Sequence, residues 1–409
     1  MRKFILTMLA ALVCAGAAAQ YTPSESNLEA RREFSEKRLG IFLHWGIYSS
    51  FAQGEWYLQN AQLDSTVYMA AAGSFCPSKF DAEAWAEAFS DAGAGYVTLT
   101  SRHHDGFSMF ATAQSPFNIV DGTPYGRDVL GELTEAVKSK GMKMHYYYSL
   151  LDWIRPDYPK GYEYGIPKTD SLADYNHYLE FEKAQIRELL AYGPAAFWFD
   201  GMWDQPEGFD WRLSEIYELI HSVDSACLIG NNHHRAPLEG EDFQMFERDL
   251  PGENLGGFSA GAPISLLPLE TCETMNGSWG YCEWDTNYKS LKEIVDLLVR
   301  SVAKDANLLL NIGPMASGEL PEPALERLKE LGRWMRDHGE SVNGCGASGL
   351  APQPWGVTTL SSDHLYIHIL EPSGLPDDGI IRFKFRGKTF WVMVPSIIDP
   401  IDTIIAIKL

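Results

Sequence analysis

Short apolar segments, each followed by a stretch with helical spacing, recur from residue 38 to residue 340, and this rhythm constrains the fold more than any other feature. RLGIFLHWG (38–46), GYVTLT (95–100), MKMHYYYS (142–149), AAFWFDG (195–201), ACLIGNN (226–232) and LLLNIGP (308–314) read as strands. Segments 81–93, 134–141, 174–193, 211–224, 290–307 and 323–342 read as helices, the first with Asp81 as N-cap and Gly93 as C-cap. Continuous apolar strands followed by helices imply a parallel sheet covered on both faces. At this length the pattern predicts an α/β fold, a (β/α)8-like (TIM-type) barrel rather than an open doubly wound sheet. No GxGxxG or P-loop motif follows a strand, which argues against nucleotide-binding versions.

After Gly344 the texture changes. HLYIHIL (364–370), GIIRFKFRG (379–387) and TFWVMV (389–394) alternate in twos between Gly, Pro and Asp turns. This predicts a small antiparallel β-sandwich-like domain, short for a complete sandwich. The N-terminus, MRKFILTMLAALVCAGAAAQ, has a basic start, an apolar centre and a small-residue end. It reads as a signal peptide cleaved after Ala19, so the chain is expected to be exported, periplasmic or extracellular. The expected organisation is a signal peptide at 1–20, a catalytic barrel at 21–343 and a C-terminal β domain at 344–409.

The net charge of −22 repels nucleic acid and anionic membranes, and no second apolar stretch is long enough to span a bilayer. Cys76, Cys227, Cys272, Cys282 and Cys345 are scattered, with no CxxC pair; Cys272 and Cys282 are the candidate disulfide. The 12 Trp, 19 Tyr and 20 Phe suit a polar ligand with apolar faces, such as a sugar, as well as a large core.

Polar residues gather where the strands end. His44 and Trp45 end the first, His103, His104 and Asp105 the second, Tyr147, Tyr148 and Asp152 the third. Asp200 ends the fourth and Asn231, Asn232, His233, His234 and Arg235 the fifth. In a barrel these ends meet on one face, where active sites are built. Asp200, after Ala-Ala-Phe-Trp-Phe, sits at the edge of a buried strand as a nucleophile, a metal ligand or a helix cap. Glycoside hydrolysis needs a second carboxyl group. Glu247, in EDFQMFERD, and Glu270, in LPLETCETM, are both available.

The stretches GIFLHWGIYS, GEWY, LTSRHHDGFSMF, MHYYYSLLDW, FWFDG, ETCETMNGSWGY and NLLLNIGP, in this order over residues 38–345, resemble the α-L-fucosidases of glycoside hydrolase family 29. The resemblance implies a retaining exo-acting hydrolase of terminal α-L-fucose on a barrel followed by a β-sandwich. It implies a fucosylated glycan as substrate and no cofactor. It also implies Asp200 as nucleophile, with His44, Trp56, His103, His104 and Tyr147 at fucose-binding positions. Arg235 matches the arginine of an N-D-R segment in which His234 here replaces the aspartate. The acid/base matches Glu247 through DFQMFE, twelve residues after Arg235, or Glu270 through LETC, where Leu269 departs from a tryptophan; Glu247 is favoured. Asp105 is expected to orient its turn.

Two other readings compete. His44, His103, His104, Asp200, His233 and His234 supply enough donors for a metallohydrolase, although no HxH or HxxxH pair occurs at these strand ends. A non-catalytic sugar-binding protein on the same scaffold would carry the same pocket. Linkage preference and oligomeric state leave no signal in the sequence.

Overall fold

The computed structural model describes residues 21–159, 172–259 and 262–409; the predicted signal peptide lies outside the described residues. Eight strands form one sheet: β1 Leu39–Leu43, β2 Tyr96–Arg102, β3 Lys143–Ser149, β4 Ala196–Asp200, β5 Leu228–Asn231, β6 Gln244–Glu247, β7 Leu269–Thr274 and β8 Ala306–Ile312. Their order is β5-β4-β3-β2-β1-β8-β7-β6, and every pair is parallel. This is the predicted barrel, nearly closed. The sequence reading identified six of these strands. It missed β6 and β7, which are short and carry Gln244, Glu270, Thr271 and Thr274 among their apolar residues.

The seam between β5 and β6 has no regular ladder. Asp242 closes it. Its N–H donates to the Ile229 carbonyl at 2.6 Å, and its carboxylate accepts from the Ile229 N–H at 2.8 Å. The same carboxylate meets Arg31 at 2.6 Å, from the helix Glu25–Glu36, and His221 at 3.0 Å, from the helix Leu213–Val223. Gly230 lets the two strands approach, because a Cβ there would stand 2.4 Å from the Phe243 ring.

Alternate residues of each strand face the barrel interior. Phe42, Tyr96, Tyr147, Trp198, Met245, Cys272 and Leu309 fill it. The outward residues pack under the helices. Their ends behave as their sequences suggest. Asp81 accepts the Ala84 N–H at 3.0 Å, Gly93 adopts φ +89°, and Ser290 and Glu293 form a reciprocal capping box.

Beyond the helix Glu322–His338, strands β9 Gly346–Ala347, β10 Gly356–Leu360, β11 His364–Ile369, β12 Ile380–Phe385, β13 Lys388–Met393 and β14 Thr403–Lys408 make two antiparallel sheets. One is ordered β14-β11-β10-β9 and the other is the β12–β13 hairpin. Trp355, Ile367, Ile369 and Ile381 form the core between them. A buried chain fastens the larger sheet to the barrel side. Asp402 meets His368 Nδ1 at 2.6 Å, His368 Nε2 meets Thr359 Oγ1 at 3.0 Å, and Thr359 donates to the Ser341 carbonyl at 2.6 Å.

The expected Cys272–Cys282 disulfide does not form; both are free thiols. Cys272 points into the barrel interior, in register with Glu247 and Leu309, whereas Cys282 lies in a loop bridged to Gln53. Among the described residues no helix is long and apolar enough to cross a membrane.

Asp242 carries the barrel seam, so Asp242→Ala leaves Arg31 and the Ile229 N–H without their buried partner. The expected loss is about 3–5 kcal/mol of unfolding free energy. Denaturant titration checks this, and an unchanged midpoint would contradict the clamp.

Candidate active site

Ala196, Trp198 and Asp200 share the inner face of β4, so strand parity alone carries Asp200 to the C-terminal mouth of the barrel. Gly201 then turns the chain at φ +94°, where a Cβ would press on Leu151 at 2.9 Å. A cavity of about 410 Å³ opens at this mouth. Asp200, Glu247, His44, His103, His104, Tyr147, Trp56 and Asn232 all line it.

Asp200 is surrounded by donors. Tyr147 Oη donates to Oδ2 at 2.9 Å, Asn232 Nδ2 to Oδ1 at 3.4 Å, and the Gly201 N–H and the Trp203 indole also point at the carboxylate. Burial still pushes Asp200 up to about 6, against these hydrogen bonds. Glu247 ends β6, and Asn232 Nδ2 also donates to its Oε2 at 2.9 Å. Burial, then the Asp200 charge, push Glu247 up to about 7, while Asn232 and Arg248 pull the other way. One amide nitrogen therefore holds both carboxyl groups, with more donors on Asp200 and more reason for a proton on Glu247.

The histidine tautomers follow from their partners. Ser149 Oγ spends its one proton on the Leu151 carbonyl at 2.7 Å, so it accepts from His104 Nδ1 at 2.7 Å. The Asn311 amide nitrogen donates to the Trp279 carbonyl at 2.8 Å and to Thr274 Oγ1 at 3.2 Å, so its oxygen accepts from His44 Nδ1 at 2.8 Å. Both rings thus keep Nε2 as an acceptor. His104 Nε2 lies 3.6 Å from Asp200 Oδ2, and two acceptors so close suit a hydroxyl donor between them. Burial pushes His44 down to about 3, and His103 and His104 well below the usual range. The His103 ring stacks on Tyr147 at 5.3 Å, which stacks on Trp198 at 5.4 Å. Trp56 stacks on Trp203 at 5.5 Å, giving an apolar wall beside the polar one.

Two expected residues sit elsewhere. Glu270 is wholly buried in the barrel interior, level with Met245 and so deeper than Glu247. It accepts from Tyr96 Oη at 2.6 Å and Trp198 Nε1 at 2.8 Å. It props the floor of the cavity and does not line it. Arg235 is exposed and outside the cavity wall. The arginine at the cavity is Arg248, over the Trp279 ring at 5.0 Å and donating to the Gly277 carbonyl at 2.7 Å. Asp105 accepts from Tyr68 Oη at 2.7 Å and the Phe107 N–H at 3.1 Å, as a turn anchor does.

Arg248, Glu55, Trp203 and Trp279 were not singled out as site residues from the sequence, and Asn232 was named only among the polar strand ends. Reading QMFE as a strand would have exposed Glu247 and Arg248 as its rim. Glu55, beside Trp56 in GEWY, accepts the Gly280 N–H at 2.7 Å, and burial raises it. Among the described residues no three His, Cys, Asp or Glu side chains are arranged to hold a metal. His233, one of the donors of that reading, is turned to Glu241 at 3.0 Å.

Comparison with known proteins identifies relatives of the chain and of its fold. The family model for α-L-fucosidase matches residues 8–340. An α-L-fucosidase of Dictyostelium discoideum is 31% identical over 88% of this chain and 82% of its own. Alpha-L-fucosidase isoenzyme 1 from Paenibacillus thiaminolyticus superposes with a TM-score of 0.83 at 32% identity, covering 94% of this chain and 99% of that one. A family 29 enzyme from Bacteroides thetaiotaomicron, solved as a trapped covalent intermediate with 2-fluoro-fucosyl fluoride, superposes at 0.78 with 26% identity, covering 92% and 95%.

The histidine argument is open to direct measurement. Nitrogen-15 spectra, assigned with His44→Asn and His104→Asn, should show both rings as neutral Nδ1–H tautomers from pH 8 to about 5, since a lowered pKa keeps the ring neutral as acid is added. Protonation of either ring above about pH 5 would contradict it.

Proposed function

The chain belongs to the α-L-fucosidase family, glycoside hydrolase family 29, and from that premise we propose that it is a retaining exo-α-L-fucosidase. In this reading it removes terminal α-L-fucose from fucosylated glycans through a covalent fucosyl-enzyme. The observation that carries the reading is the shared amide of Asn232. Its 2.9 Å and 3.4 Å contacts hold one oxygen of Glu247 and one of Asp200 closer than the ~6.5 Å where inverting geometry begins. That spacing is short of the room an inverting water needs, which supports direct attack by one carboxylate.

Asp200 is assigned as the nucleophile. Its four donors favour the anion, and it reaches the mouth on a rigid strand. Its oxygen bonds to the anomeric carbon as the bond to the leaving oxygen breaks, and the Glu247 proton passes to that oxygen. Water then attacks the same carbon, gives its proton to Glu247 and displaces Asp200. His44 and His104 accept from fucose hydroxyls through Nε2, His103 adds a third imidazole, and Trp56 covers the apolar side of the ring. Tyr147 keeps Asp200 in place. Glu270 positions Trp198 and takes no part in proton transfer, and Arg248 takes the place at the cavity that the resemblance gives to Arg235. Residues 21–343 carry this activity, 344–409 buttress it, and the composition of residues 1–20 supports export.

The pH dependence follows from the two shifts. Asp200 must be ionised, so kcat/KM falls as pH drops through about 6; Glu247 must be protonated, so it falls again as pH rises through about 7. The resulting bell should lose its alkaline limb in Glu247→Gln and keep both limbs in Glu270→Gln. Loss of that limb in Glu270→Gln instead would exchange their roles.

Azide separates the two carboxylates by stereochemistry. Asp200→Ala should abolish hydrolysis of an aryl α-L-fucoside, and azide should then yield the β-azide by one inversion. Glu247→Ala should slow natural substrates by about 10²–10⁴-fold and yield the α-azide by two inversions. Normal turnover in Asp200→Ala would end the assignment.

A further inference from the structure

Glu247 has two neighbours, and only one is accounted for by fucose. Asn232 joins its Oε2 to Asp200. His234 meets the same oxygen, with its Nε2 3.7 Å away. His234 adopts a left-handed conformation, φ +58°, which swings its ring out of the β5 line and over the acid. Such a conformation is uncommon outside glycine, although histidine adopts it more readily than most residues, and it sets where the ring is placed. His234 Nδ1 is buried and makes no hydrogen bond, so the ring is held by packing rather than by a polar partner.

What packs on it is Phe258. The two rings stack at 5.5 Å with 26° between their planes, and both line the cavity. The far side of Phe258 is open, for the residue is 44% exposed. The described residues beside it are tied by hydrogen bonds. Buried Asp249 accepts the Gly256 N–H at 2.7 Å, and Asn254 accepts the Ser259 N–H at 2.9 Å. An aromatic ring kept half in solvent beside the acid costs hydrophobic burial unless something covers it.

A general acid must touch the leaving oxygen, and Phe258 is 44% exposed whereas the Asp200 side chain is only 13% exposed, so the pair borders the open side of the acid, toward which the leaving group departs. We propose that Phe258 and His234 form the leaving-group subsite, a stacking platform for the pyranose ring to which fucose is attached. This rests on the reading of Glu247 as the acid and extends it to substrate class. Burial keeps the His234 imidazole neutral at working pH, lowered to about 4, so the platform is an uncharged one. An uncharged aromatic pair suits the C–H face of a neutral hexose, where a charged platform would suit an acidic sugar. The enzyme is therefore built for oligosaccharides with a sugar aglycone, and draws part of its transition-state binding from that sugar.

The test compares a leaving group that reaches the platform with one that does not, each variant being referred to the wild type on the same substrate so that the difference in leaving-group acidity cancels. α-L-Fucosyl fluoride departs as a single atom; the disaccharide is chosen from α1,2-, α1,3-, α1,4- and α1,6-linked fucosides as the one the wild type cleaves fastest. Phe258→Ala should lower kcat/KM for the disaccharide about 10-fold more than for the fluoride, a difference of about 1.4 kcal/mol. Phe258→Trp should restore most of the difference, which a folding defect would not allow. Equal losses on the two substrates, or no loss on the disaccharide, would overturn the platform. Failure of the wild type to release fluoride would instead overturn the fucosidase reading itself, so the two failures are distinguishable.

Discussion

Parity along a parallel strand is the constraint from which the site is built. In β4, Ala196, Trp198 and Asp200 face inward in that order, so the residue that closes the barrel interior and the residue that reaches the cavity are consecutive steps of one alternation. The same alternation places Cys272 below the rim of β7 and Glu270 one step deeper still. Depth therefore decides role. A carboxylate at the mouth can meet a sugar; a carboxylate two residues lower can only brace the residues above it. Glu270 does this through Trp198, which stacks under Tyr147, whose hydroxyl holds Asp200.

The electrostatics depend on the same geometry. Asp200 and Glu247 are both lifted by burial, and Glu247 is lifted further by the charge of Asp200. Donors separate them. Tyr147, Trp203 and the Gly201 N–H serve Asp200 alone, whereas the Asn232 amide is divided between the two. An unequal share of donors around two carboxyl groups of similar burial turns one into the anion and leaves the proton on the other.

Much of this was legible in the sequence because it follows from local pattern. Strands rich in β-branched and aromatic residues, helix caps and polar strand ends all announce themselves over a few residues. Asp200, His44, His103, His104 and Tyr147 meet in one cavity as their strand-end positions implied, and Trp56 and Glu247 join them as the family resemblance implied. The misses have one physical origin. β6 and β7 are four and six residues long, and polar residues such as Gln244, Glu270, Thr271 and Glu273 interrupt the continuous apolar run by which the other strands were read. With those strands unread, depth could not be assigned. Glu270 then looked equivalent to Glu247, Arg235 stood in for Arg248, and Cys272 looked free to find Cys282. Short-range pattern does not say how far along a barrel axis a residue lies; register does.

The histidine doublet shows how much that register decides. Two adjacent imidazoles at a strand end suit metal ligation in composition, yet ligands need lone pairs aimed at one point. The pairing of β2 with β3 slips between Thr100 and Arg102, and the strand ends there, so His103 and His104 are released from alternation and both enter the cavity. Their partners then part their tasks. His104 is fixed by Ser149 with its acceptor toward Asp200, while His103 lies flat on Tyr147. One ring offers an edge and the other a face. That division serves a molecule with hydroxyls on its edges and C–H bonds on its faces, which is what a pyranose is.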